Sequence, residues 1–242
     1  MSYYFFIFFF ILSFFIIYLS RKYNLFVDFK LEKHKRFSSN QKSYSIGGIL
    51  LCIFFGYYFL IVETNFFLFC FIFSIFLIGL FSDLKKLNSV NLRFLTQIFI
   101  VIFFVYLIDV KINFTRIDTF DNILQNNIYI NIFFTSFCLL IALNGGNFID
   151  GLNGIILKYY IIIYLILFFG FPNEFSVFEK EFIKYLIFTL TIILVLNIFG
   201  LLYMGDSGAY LISLFTGLYL IIFSSQNFSI SPYLIILLLW YP

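Results

Sequence analysis

The sequence predicts an all-α fold, a polytopic transmembrane helical bundle, and three observations carry that prediction. The first is composition. Of 242 residues, 63% are hydrophobic and 11% charged, with a mean hydropathy of +1.05. Ordinary soluble domains carry about 25% charged residues, and a chain this apolar would expose more hydrophobic surface than water tolerates. A soluble enzyme, a disordered chain and a disulfide scaffold are excluded together. The second observation is a series of windows without any charged residue: 1–20, 43–62, 64–82, 94–108, 122–149, 159–173, 185–205 and 207–242. Most approach or exceed the roughly 20 residues a helix needs to cross a bilayer. The third is that these windows are continuously apolar rather than alternating, which argues against a β-barrel.

Each element follows from those windows. Segment 1–20 lacks a basic leader and a small-residue cleavage site, so it reads as a retained helix. Window 94–108 is short, but polar residues at its ends can reach the interface. Window 207–242 is too long for one helix; the turn signal from Ser224-Ser225-Gln226-Asn227 to Ser231-Pro232 splits it into 210–223 and 233–242. About nine helices result, the ninth cut short by the end of the chain. The charged stretches Asp109 to Asp121 and Glu174 to Glu181 read as solvated loops. Cys52, Cys70 and Cys138 lie in apolar runs without a CxxC pair, and His34 is the single histidine, so neither a zinc site nor a disulfide is indicated. The 41 Phe accompany abundant Ile, Asn and Lys, a pattern of codon bias rather than of aromatic function.

Orientation follows from Lys and Arg. Segments 21–45, 83–93 and 145–158 hold eleven of them, and the alternate connections hold four: Lys111, Arg116, Lys180 and Lys184. The first set is expected in the cytoplasm and the N-terminus outside. The basic run around His34 reads as positive-inside anchoring, with an anionic-lipid contact as the alternative.

Every polar cluster then falls on the cytoplasmic side. Gly47-Gly48 opens the second helix and reads as a packing notch. Ser82-Asp83-Leu84-Lys85-Lys86 ends the third with a carboxylate, followed by lysines that suit phosphate as point charges. The run Asn144-Gly145-Gly146-Asn147-Phe148-Ile149-Asp150-Gly151-Leu152-Asn153-Gly154 repeats Asn or Asp every third residue among four glycines. Glycines are costly inside a helix, so a bent or broken helix is expected there, lining a cavity. An ionisable residue such as Asp150 in that setting is a functional candidate. Met204-Gly205-Asp206-Ser207-Gly208 offers an acid for a divalent cation and glycines that let backbone N–H groups approach an anion. Solvated helix ends, a glycine-rich loop and an Asp-capped turn are the purely structural readings of these runs.

The order of these motifs resembles the polyprenyl-phosphate N-acetylhexosamine-1-phosphate transferases, glycosyltransferase family 4. The resemblance covers nearly the whole chain. It implies transfer of a sugar-1-phosphate from a UDP-N-acetylhexosamine to polyprenyl (undecaprenyl) phosphate, with Mg²⁺ or Mn²⁺ as cofactor. The setting it implies is the bacterial inner membrane, in cell-envelope glycan synthesis, without nucleic acid as a partner. It leaves room for a homodimer. Carried over residue by residue, Asp206 matches the metal-binding acid. Asp83 and Asp150 match catalytic positions. Lys86, Asn144, Asn147, Asn153, Gly205 and Ser207 become candidate substrate-binding residues.

Three departures stand out. Ser82 takes the place of the first acid of an Asp-Asp pair, and Asn153 that of a second Asp. The chain stops at Trp240-Tyr241-Pro242, so a further cytoplasmic loop with histidines and the closing helices are expected to be missing from this single domain over 1–242. A non-catalytic polyprenyl-phosphate-binding relative is the first alternative. A secondary transporter is the second, disfavoured because its site needs access from both faces.

Overall fold

A computed structural model describes residues 3–28, 43–149, 154–227 and 231–232. Among them the chain forms α1 (Tyr3–Tyr23), α2 (Gly47–Tyr57) continued by a π-helical turn (Tyr58–Val62), α3 (Phe66–Asp83), α4 (Val90–Ile108), α5 (Asp118–Asn126), α6 (Ile128–Ile149), α7 (Ile155–Gly170), α8 (Val177–Ile198) and α9 (Gly205–Gln226). Two short strands, β1 (Val27–Asp28) and β2 (Ser43–Tyr44), pair antiparallel between α1 and α2. Six of these helices, α1, α3, α4, α6, α8 and α9, are long and apolar enough to span a membrane, and α2 with its π-turn and α7 are shorter apolar helices. The predicted helical bundle is thus present. The predicted helix 233–242 lies outside the described residues, as do the basic run around His34 and the candidates Asp150 and Asn153.

Several boundaries differ from the charge-free windows, and local chemistry explains why. Helix α8 starts at Val177 rather than 185 because Ser176 and Glu179 form a reciprocal capping box, with the Glu179 N–H donating to Ser176 Oγ at 3.2 Å and the Ser176 N–H donating to Glu179 Oε2 at 2.8 Å. That cap carries Glu179, Lys180, Glu181 and Lys184 into a helix and corrects the loop reading. Helix α4 starts at Val90 because Ser89 accepts from the Leu92 N–H, which places Arg93 inside the helix. The window 122–149 contains two elements. Asn127 accepts from the Tyr129 and Ile130 N–H groups and starts α6 afresh, while α5 is a separate short helix.

Helix α9 is the axis of the molecule and is buried along most of its length. Its residues Tyr210, Leu214, Leu218 and Ile221 join one core, with Phe71 and Ile75 of α3, Val101 and Val105 of α4, and Leu139 and Leu143 of α6. Their spacing of three and four puts them on one helical face. Its residues Ala209, Ile212, Phe215 and Phe223 join a second core, built from α1, α2, α7 and α8. Helices α7 and α9 are also joined by hydroxyls: Tyr160 donates to Ser213 at 2.7 Å, and Tyr164 and Thr216 share a bond of 2.8 Å. Interhelical hydrogen bonds of this kind in a membrane are worth about 0.6 kcal/mol each.

Within the glycine-rich run, α6 ends at Ile149 and α7 begins at Ile155, after Gly154 with a φ of 71°. Helix α6 continues unbroken through Gly145 and Gly146 to Ile149. The missing Cβ at Gly146 makes room for Ser213 and for the Tyr160 hydroxyl, so close helix packing offsets the propensity cost.

Candidate active site

Four helix termini meet at one end of the bundle: the C-terminus of α3 and the N-termini of α2, α4 and α9. The segment before α2 sets the position of α9. Tyr203 N–H donates to Tyr44 O at 2.8 Å, Gly47 N–H to Tyr203 O at 2.9 Å, and Gly48 N–H to Met204 O at 3.1 Å. Gly48 does more than open a notch, because a Cβ there would collide with the Ser207–Gly208 backbone. The chain enters α9 through Gly205, whose φ of 71° lies in the left-handed region that glycine adopts without penalty.

Asp83, the last residue of α3, points at this helix start. Its Oδ1 accepts from the Asp206 N–H at 2.8 Å. Its Oδ2 accepts from the Ser207 N–H at 3.1 Å and from the Ser207 hydroxyl at 2.6 Å. Asp206 itself turns the other way. Its Oδ2 accepts from Ser82 Oγ at 2.5 Å and forms an ion pair with Arg93 Nη1 at 2.7 Å. Arg93 Nη1 also donates to Ser82 Oγ. The Arg93 and Asp206 side chains are 19% and 31% exposed, so this pair is open enough to meet a solute.

The sequence-predicted residues therefore separate. Asp83, Asp206, Gly205 and Ser207 are brought together, as is Ser82. Ser207 is fully buried and its hydroxyl is committed to Asp83, and a Cβ on Gly205 would lie 2.7 Å from Asp83 Oδ2. Both shape the helix start through Asp83. Asn147 reaches α9 one turn further in, donating to the Tyr210 hydroxyl at 3.4 Å. Its Oδ1 is buried with no hydrogen-bond partner among the described residues. Asn144 donates to Leu140 O of its own helix at 2.9 Å and joins no contact to Asp83 or Asp206 among those the structure records. Lys86 is exposed in the turn after α3.

Arg93 was missed in the sequence, where it counted only toward topology. Gln97, buried one turn along α4, stands near the Tyr210 hydroxyl and extends the same polar stripe. Thr96 and Gln97, three and four residues after Arg93 in a helix that is apolar from Ile98 onward, were the available signal.

Among the described residues no three of His, Cys, Asp and Glu come together as a ready metal cage. Mg²⁺ commonly takes one or two carboxylates and completes its shell with water and substrate phosphates. Asp206 fits that role. It is partly exposed, and the contacts recorded for its carboxylate fall on Oδ2. Asp83 fits it less well, because both of its oxygens are already engaged.

The sequence profile described as Glycosyl transferase family 4 matches residues 65–224, well over half of the chain and every residue of the Asp83–Arg93–Asp206 cluster. The chain belongs to glycosyl transferase family 4. Membership supports a transferase that passes a glycosyl-1-phosphate to polyprenyl phosphate, and the spanning helices make it a multi-pass membrane protein. A search of curated proteins gave no match. Within the family frame the cluster has a clear chemical character: one partly exposed acid, one guanidinium on it, and a helix start fixed by a second acid.

Proposed function

We propose that this family 4 member transfers N-acetylhexosamine-1-phosphate from UDP-N-acetylhexosamine to polyprenyl phosphate at the cytoplasmic face of a bacterial inner membrane, for cell-envelope glycan synthesis. An oxygen of the lipid phosphate attacks the β-phosphorus of the donor. The bond from that phosphorus to the bridging oxygen breaks, UMP leaves, and the lipid carries a diphosphate-linked sugar. The observation that supports this reading best is the Arg93–Asp206 pair at the open end of the bundle.

The chain's own residues have definable tasks. Arg93 presents a guanidinium, which matches phosphate oxygens in a bidentate fork. Lys86 adds a mobile positive charge at the same end. Asp206 would hold a Mg²⁺ ion, whose contribution is to neutralise the charge that develops on the leaving phosphate. The lipid phosphate is already ionised near neutral pH, so attack needs no strong general base, and Ser82 in place of an acid is compatible with transfer. Asn147, with its unpaired buried carbonyl, is a proposed donor-binding residue, and Asp150 and Asn153 remain proposals from the family match.

The test supplies membranes containing the protein with labelled UDP-N-acetylhexosamine, polyprenyl phosphate and Mg²⁺. A lipid-linked sugar is the expected product, and its absence across several UDP-amino sugars overturns the proposal. Asp206→Asn is expected to abolish transfer and weaken Mn²⁺ binding while membrane insertion is retained. Ser82 favours one second reading, a relative that binds polyprenyl phosphate without transfer. In the same assay that reading gives lipid binding and no product.

A further inference from the structure

We infer that Asp83 is a positioning residue, an N-terminal cap for α9 supplied from α3, which aims Asp206 rather than meeting the substrate. The inference rests on the reading of Asp206 as the metal-holding acid of the site.

The argument begins with what α9 lacks. The first N–H groups of any helix have no partner within it, and a Ser, Thr, Asp or Asn just before the helix normally supplies one. Met204 occupies that position here, and no side-chain bond caps α9 from its own segment. Asp83 takes over that task across 123 residues of sequence, accepting from the N–H of Asp206 and the N–H of Ser207. The Ser207 hydroxyl adds a third bond to the same carboxylate. A negative charge at this position also meets the positive end of the α9 dipole.

Packing reinforces the arrangement. A Cβ on Gly79, one turn before Asp83, would lie 2.6 Å from the Ser207 nitrogen, so α3 and α9 meet backbone to backbone at this crossing. A Cβ on Gly205 would strike Asp83 itself. The two acids thus divide the work by direction. Asp83 holds the backbone of residues 206 and 207, and this orients the Asp206 carboxylate toward Ser82 and Arg93. With three of roughly four acceptor sites filled, Asp83 has little left for a proton in flight or a metal.

The test uses the full chain in lipid nanodiscs, with hydrogen exchange of residues 203–210, Mn²⁺ affinity and transfer kinetics as readouts. In Asp83→Asn the amide keeps one oxygen and turns an NH₂ toward α9 donors. Exchange at residues 206 and 207 is expected to rise about tenfold or more, because bonds to a charged acceptor are lost. Mn²⁺ affinity and kcat are expected to fall with the donor KM nearly unchanged, a split that general loss of folded protein does not produce. Ser207→Ala removes one of the three bonds and is expected to move every readout the same way by less, which keeps the test decisive if Asp83→Asn inserts poorly. An Asp83→Asn protein that loses transfer while exchange and Mn²⁺ affinity match the wild type overturns the inference and makes Asp83 a residue that acts on substrate. Unchanged kinetics in both variants overturn it as well. Failure of the underlying reading looks different: Asp206→Asn then binds Mn²⁺ like the wild type, while the exchange result still decides whether Asp83 anchors α9.

Discussion

Arg93 Nη1 lies 2.7 Å from Asp206 Oδ2, and it shares Ser82 Oγ with that carboxylate. Replacing it therefore leaves a partly exposed acid with the Ser82 hydroxyl as its remaining recorded partner. If Arg93 also meets the donor diphosphate, Arg93→Met is expected to lower donor kcat/KM by roughly ten- to a hundredfold, the range for losing a charge-assisted hydrogen bond. Arg93→Lys keeps the charge without the fork and is expected to fall between. Steady-state transfer with varied donor concentration checks both, and an Arg93→Met enzyme with unchanged kcat/KM removes Arg93 from donor binding. The acids at this site were legible in the sequence because the chain holds twelve in all, and Asp83 and Asp206 each sit beside a polar or glycine residue at the end of an apolar run. Arg93 was not legible, because a cation next to an apolar window is what interfacial anchoring also produces. The division between Asp83 and Asp206 was not legible either. It depends on which oxygen faces which helix, a three-dimensional fact that a linear motif does not contain.

At the level of elements, windows between charges located the membrane helices but misplaced several of their ends. Charge marks where a helix leaves the hydrocarbon, whereas capping marks where its hydrogen bonds begin. Ser176 with Glu179 and Ser89 with Leu92 are of the second kind. The stretch 109–121 shows the cost of ignoring that distinction. It reads as a solvated loop, yet Asp121 is buried at 9% exposure and accepts from the Thr115 N–H and hydroxyl, both at 2.6 Å, and from the Arg116 N–H at 3.1 Å. Asn131 of α6 then ties the same stretch down, donating to Ile112 O at 2.9 Å and to Leu124 O at 3.2 Å. Burial alone would raise the Asp121 carboxyl, but the three bonds outweigh it and hold the group below its ordinary value. A depressed folded-state value means that the ionised form stabilises the fold. That contribution is present above the unfolded value of about 3.9 and is lost as pH falls through the lower, folded one. Protection of the amides over 112–126, relative to their intrinsic exchange at each pH, is accordingly expected to fall below about pH 4, and Asp121→Asn to show faster exchange already at neutral pH. Equal exchange in the two proteins at pH 7 removes Asp121 as the organiser of this segment.

For the whole molecule, the determining feature is a central helix that is both the most buried and among the richest in small polar residues. Ser207, Ser213 and Thr216 are fully buried in α9, and Gly208 and Gly217 lie on the same helix. In hydrocarbon, where association gains little from apolar burial, such residues permit close approach and satisfy one another. That is why α9 can serve two cores at once and still deliver Asp206 to the bundle end. The end where Asp206 lies also carries Arg21, Lys22, Lys85, Lys86 and Arg93, whereas Lys111 and Arg116 in the connection after α4, and Lys180 and Lys184 in the first turns of α8, lie at the other. The excess of basic residues is expected to orient the first end toward the cytoplasm. In a background with Cys52, Cys70 and Cys138 replaced by alanine, Lys86→Cys and Asn122→Cys place single thiols at exposed positions on opposite ends. A membrane-impermeant maleimide added to intact cells is expected to label Asn122→Cys at once and Lys86→Cys only after permeabilisation. The reverse pattern would put Asp206 outside, away from nucleotide-activated sugars. It would overturn the proposed donor without disturbing the fold or the family.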